Sequence, residues 1–108
     1  MKTMPVKAFE HLIVYSIARG CSLSISDSEG KLCQNCQDAQ EAIRHVESVD
    51  YAALYIKEPE ADRFTACAWV TADPTMEPQE TVIEYNFCDY MTRWAGTYQL
   101  TELTPITH

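Results

Sequence analysis

The residue pattern predicts an α+β domain: an antiparallel sheet of four to five strands, made of two hairpins, with two to three helices packed mainly on one face. Three observations lead there. Two segments repeat apolar residues at helical spacing between recognisable start and stop signals. Three short runs alternate apolar and polar residues and a fourth returns beside the first, with turn residues inside each pair, which is the order of hairpins rather than of βαβ units. An apolar fraction of 46% with 10% aromatics is enough for a core, which a disordered acidic tail would lack.

The first helix covers residues 6–19. Pro5 opens it, Val6, Phe9, Leu12, Ile13 and Ile17 form its stripe, and Gly20 stops it. Leu23 and Ile25 then alternate with Ser22, Ser24 and Ser26 as a half-buried strand. Asp27-Ser28-Glu29-Gly30 turns the chain, and residues 31–36 return as a second strand. Asp38 and Glu41 have capping-box spacing, and Ala39, Ala42, Ile43 and Val46 share one face of a helix over 39–48.

The second hairpin is the clearer one. Along 51–57, Ala52, Leu54 and Ile56 face one way and Tyr51, Ala53 and Tyr55 the other. After a polar turn at 58–62, Phe64, Ala66, Ala68 and Val70 alternate with Thr65, Cys67, Trp69 and Thr71. Residues 72–80, with Pro74 and Pro78, read as a loop, and 81–87 as a strand, with a helix from Pro78 as the rival. A helix over 88–95 presents Tyr90, Met91 and Trp94 and ends at Gly96. Residues 97–108 read as a loosely ordered tail of the single domain, 1–108.

Charge narrows the function classes. Residues 1–46 carry five acids and five bases, whereas 47–108 carry eleven acids against Lys57, Arg63 and Arg93, so the net charge of −8 belongs to the second half. Such a field repels nucleic acid and attracts basic surfaces. It reads either as a solubilising surface or as a binding face. The residues of that face would be Tyr55, Glu58, Glu60, Asp62, Trp69, Asp73, Glu77, Glu80 and Glu84. If the second hairpin packs its Ala52 and Ala66 side under the helices, Tyr51, Tyr55, Cys67 and Trp69 lie on an open face, where aromatics suit an interface. A third layer, either the last helix or a second copy in a homodimer, is the alternative. An RNA-binding sheet would need basic residues around those rings.

Catalytic chemistry finds no constellation. Nothing in the spacing of the cysteines and of His11 and His45 selects a nucleophile and base, and no cofactor motif is present. Cys33-Gln34-Asn35-Cys36 is the one textual motif. A zinc knuckle built on it needs a second ligand pair, and none is spaced for the purpose. A redox pair would want a helix start, which is close by, but Asp38 and Glu41 oppose a thiolate there. Two cysteines in a strand-to-helix bend, one buried and one exposed, complete the readings. The odd cysteine count, the absence of a long apolar run and the interrupted apolar stretch near the N-terminus predict a reduced cytoplasmic protein outside the membrane.

The order of short segments resembles small uncharacterised proteins encoded by bacteriophages and prophages. Leu23-Ser24-Ile25-Ser26-Asp27-Ser28-Glu29-Gly30, Asp38-Ala39-Gln40-Glu41-Ala42-Ile43 and Val46-Glu47-Ser48-Val49-Asp50 carry the resemblance, with residues 81–85 and 91–95, across 9–98. It implies an accessory protein of the bacterial cytoplasm that inhibits host defence by binding it, as anti-CRISPR proteins do. No catalytic residue comes with it, and the cysteine content departs from the group. The expected function is a non-enzymatic acidic module that occludes a basic surface of a host protein or protein–nucleic-acid complex. The alternatives are a metal- or thiol-dependent protein centred on Cys33 and Cys36, and a structural homodimer.

Overall fold

Alternation along the strands sets the architecture. The computed structural model describes residues 7–101, with side chains as far as Tyr98. Its elements are α1 (Ala8–Ala18), β1 (Ser22–Asp27), β2 (Gly30–Cys36), α2 (Ala39–Glu47), β3 (Ala52–Lys57) and β4 (Ala66–Val70), then a 3-10 turn (Pro78–Glu80), β5 (Val82–Tyr85) and α3 (Asp89–Thr101). The strands form one sheet in the order β2-β1-β3-β4-β5, with every pair antiparallel. The predicted α+β class is therefore the observed one.

Leu23, Ile25, Ala52, Leu54, Ile56, Ala66, Ala68 and Val70 all point to one side and are buried there. The helices supply the other half of the core: Phe9, Leu12 and Ile13 from α1, Ala42 and Val46 from α2, and Tyr90, Met91 and Trp94 from α3. Burying a Leu, Ile or Phe side chain contributes about 1.5–3 kcal/mol, so this single apolar layer dominates stability.

Two expectations are corrected, and one pair of rival readings is resolved. Gly96 does not end α3, which continues to Thr101, so 97–101 belong to a helix, while 102–108 lie outside the described residues. A Cβ at Gly96 would meet nothing within 4 Å, so this glycine marks an open surface rather than a stop. Tyr98, two residues on, is buried, stacks on Trp94 at 5.7 Å and meets His11 edge-on at 5.1 Å. That packing offsets the roughly 1 kcal/mol that glycine costs inside a helix. Phe64 does not extend the buried face of β4. It precedes the strand, is exposed, and packs on Tyr55 of the other face. The rival readings after Pro78 are both partly met, by the 3-10 turn followed by a four-residue strand.

Two buried threonines join the elements at one end of the sheet. No side chain at Lys7 caps α1; instead the Phe9 N–H donates to Thr81 Oγ1 at 3.1 Å. The Thr81 hydroxyl in turn donates to the Pro78 carbonyl at 2.8 Å, and the Thr81 carbonyl accepts from Thr71 N–H at 2.9 Å. Thr71 Oγ1 donates to the Asp50 carbonyl at 2.7 Å and accepts from Asp73 N–H at 3.1 Å. Toward the far end of α1, Tyr90 Oη and Ser16 Oγ lie 2.7 Å apart, and in its first turn His11 Nδ1 accepts from Trp94 Nε1 at 3.1 Å. Burial pushes the Tyr90 phenol above its ordinary range, so it holds that bond as a neutral hydroxyl.

Replacing Thr81 by Val keeps the shape but strands the Phe9 N–H, at an expected cost of about 2 kcal/mol. Thr81→Ser keeps the hydroxyl and loses only a methyl, about 0.8 kcal/mol. Urea denaturation of the two variants checks this ordering; a Ser variant as unstable as the Val variant would show that the hydroxyl does not hold α1.

Candidate functional site

Among the described residues, no helix covers the outer side of the sheet, which is the open-face alternative of the two that the sequence allowed. Tyr51, Tyr55 and Trp69 are exposed there, with Cys67 partly so, and α3 packs against α1 on the opposite side rather than over them. Register brings the rings together. Ala53 pairs with Trp69 and Tyr55 with Cys67, so Tyr51 falls diagonally beside Trp69. The Tyr51 and Trp69 rings stack nearly parallel, with centroids 6.2 Å apart and 6° between planes.

The acids predicted to form one face are divided by the sheet. Glu58, Glu60 and Asp62 follow the end of β3, while Asp73 follows the end of β4. Antiparallel pairing puts these at opposite ends of a six-residue strand, about 17 Å apart at 3.4 Å per residue. Lys57 and Arg63 share the first end with its three acids, leaving that turn close to neutral. Glu58 is further engaged by the Thr65 hydroxyl at 2.9 Å. Glu77 is the N-cap residue, and Glu80 the last residue, of the 3-10 turn that packs against α1. Only Tyr55, Trp69 and Glu84, of the predicted set, share one groove, of about 440 Å³, with Ala53, Cys67 and Tyr85. Glu84 lies directly across from Trp69 in the β4–β5 ladder.

Sequence reasoning missed the densest group of acids. A cleft of about 420 Å³ beside the ring stack is lined by Asp27, Glu29 and Asp50 as well as Tyr51 and Trp69. A neighbouring cleft of about 380 Å³ is lined by Glu47, Asp50, Tyr51 and Asp73. Among the described residues, no Lys or Arg lines either cleft or the Glu84 groove, although the Lys7 charge reaches Asp73. The β1–β2 turn thus brings Asp27 and Glu29, from the charge-balanced first half, onto the same end of the sheet as Glu47 and Asp50 at the end of α2. The Asp73 carboxyl accepts from the Thr75 N–H at 2.9 Å and the Thr75 hydroxyl at 2.8 Å, and these bonds hold its pKa below the ordinary value.

The cysteine pair lies on the other side of the sheet. Cys36 pairs with Leu23 and Cys33 with Ile25, although the cysteines are three positions apart and their partners two. The extra residue is a bulge, and Asn35 absorbs it with φ of 55°, a left-handed conformation that Asn tolerates. In a regular strand Cys33 and Cys36 would face opposite ways; the bulge turns both toward α2. Cys36 is buried and donates to the Asp38 carbonyl at 3.4 Å, and Cys33 is partly buried. Asp38 caps α2, with its carboxylate accepting from Gln40 N–H at 3.0 Å. The Cys33 and Cys36 sulfurs and a Glu41 carboxylate oxygen all lie within 4.8 Å of one another. Burial first, then the hydrogen bond and charge of Cys36 and the charge of Glu41, push the Cys33 thiol up to about 11.

Two measurements check these local fields. In a Trp94→Phe background, Trp69 emission should be quenched more strongly by caesium than by iodide, by about two- to fivefold at low salt, with the difference vanishing near 1 M salt. With the Cys33 thiol pushed up, little of it is thiolate at pH 8, and greater intrinsic nucleophilicity recovers only part of that deficit, so its alkylation should be about tenfold slower than that of an ordinary thiol. The rate should climb with pH until about 11, read by mass spectrometry of the peptide containing Cys33. Comparison with protein-family models, curated proteins and solved structures gives no match to this chain.

Proposed function

We propose that the chain is a non-enzymatic protein-binding module whose open sheet face takes a basic segment of a partner protein. One observation carries the reading: the parallel Tyr51–Trp69 stack sits among clefts lined by Asp27, Glu29, Glu47, Asp50 and Asp73, with Glu84 across the ladder and, among the described residues, no cation lining them. An arginine guanidinium is planar, stacks on aromatic faces and pairs with carboxylates through forked N–H donors, so it fits the ring stack and the carboxylates beside it, whereas Lys31 lines the separate groove by Tyr55 and Phe64. Cation–π contact contributes about 0.5–2 kcal/mol, and the surrounding acids accelerate encounter at low salt.

Phosphate-bearing ligands would be repelled by the same field. The concrete form is an inhibitor that covers the basic surface with which a nucleic-acid-handling complex holds DNA or RNA, the kind of activity the phage-protein resemblance implies. A homodimer through this face would press two like-charged surfaces together, which disfavours that alternative.

Titration calorimetry with an arginine-rich peptide tests the reading. Affinity should fall steeply with salt. Trp69→Ala, Asp50→Lys and Glu84→Lys should each weaken binding about tenfold, equivalent to about 1.4 kcal/mol. Glu77→Lys and Glu80→Lys, beside α1, should change it by less than about twofold. Equal losses from all four reversals would indicate only a diffuse field, and indifference to Trp69→Ala would sink the aromatic anchor.

A further inference from the structure

We propose that Cys33, Cys36 and Glu41 form a binding site for a thiophilic divalent cation of the zinc type, a site separate from the aromatic face. The bulge at Asn35 places both sulfurs on the helix side of β2, and the first turn of α2 brings Glu41 to them, with all three donor atoms within 4.8 Å. Tetrahedral ligands at a zinc–sulfur distance of about 2.3 Å stand about 3.8 Å apart, so closure by roughly 1 Å completes the arrangement. Glu41, on the solvent side, has the freedom to make that movement.

The donor set is built rather than incidental. Asp38 fixes the start of α2 through its cap and so holds the turn that carries Glu41; the Cys36 thiol proton, bonded to the Asp38 carbonyl in the metal-free chain, is the one that the metal would displace. His45, one turn beyond Glu41, has Nε2 3.7 Å from the Glu41 carboxylate and acts as a positioning residue that steers it. Two thiolates and a carboxylate favour zinc-like ions over magnesium or calcium, and the fourth position stays open to solvent. As each sulfur–metal bond forms, the thiol proton leaves to solvent, and the two thiolates with the carboxylate outweigh the charge of the cation.

Cobalt(II) is the probe. The reduced, chelator-free chain titrated with cobalt(II) should give a saturable thiolate-to-cobalt absorption in the near ultraviolet, with visible bands of tetrahedral intensity that zinc abolishes. Cys33→Ser and Cys36→Ser should each remove the thiolate absorption or reduce it to about half, with at least a tenfold loss of affinity. Glu41→Gln, a surface change whose folding is verified by circular dichroism, should weaken binding about tenfold or more, and His45→Ala less than Glu41→Gln. Cys67→Ser should have no effect. Absence of the sulfur band in the reduced chain overturns the proposal, as does an equal loss in Cys67→Ser. It is also overturned if Cys33 and Cys36 are found as a disulfide whose reduction confers no cobalt binding.

Discussion

The hydrogen-bond chain through Thr71 and Thr81 is the constraint on which much of this molecule depends. Two side chains, both fully buried, join the start of α1, the entry to β3, the exit of β4 and the entry to β5. Each is satisfied in both directions, which is what makes polar groups tolerable at that depth. The same bonds fix the backbone of Asp50 and Asp73, the acids on either side of Tyr51. Core and candidate face are therefore held by one set of contacts, and loosening the threonines would blur the carboxylate geometry before it unfolded the sheet.

Much of the fold was legible because it is encoded locally. The alternation of Ala52, Leu54 and Ile56 with Tyr51, Ala53 and Tyr55 specifies both the strand and its two faces, and Asp38 marks a helix start through its own carboxylate. What was illegible depends on partners distant in sequence. The persistence of α3 past Gly96 comes from Tyr98 reaching His11 and Trp94, a contact no local rule contains. The position of Phe64 follows from Tyr55, not from its own run of alternating residues.

The candidate face shows the same division. Its aromatics could be read from strand period, but its acids could not be read from a charge count along the chain. Dividing the sequence at residue 46 puts Asp27 and Glu29 in a neutral half, although β1 and β3 are neighbours and carry them to Tyr51. Conversely, Glu58, Glu60 and Asp62 are close to Tyr51 in sequence and a strand length away in space. The cysteine pair was legible as text and not as geometry, because the bulge that aligns both sulfurs involves one backbone angle at Asn35.

That bulge also bears on how the molecule keeps to itself. β2 is an edge of the sheet, and an edge presents unpaired amides and carbonyls that can recruit another chain. A regular seven-residue strand there would be a template for edge-to-edge growth. The left-handed Asn35 interrupts the spacing of those groups, and β5 at the opposite edge is only four residues long. An incoming strand finds no long straight row to extend at either margin, so aggregation by sheet addition is discouraged by backbone shape as well as by charge.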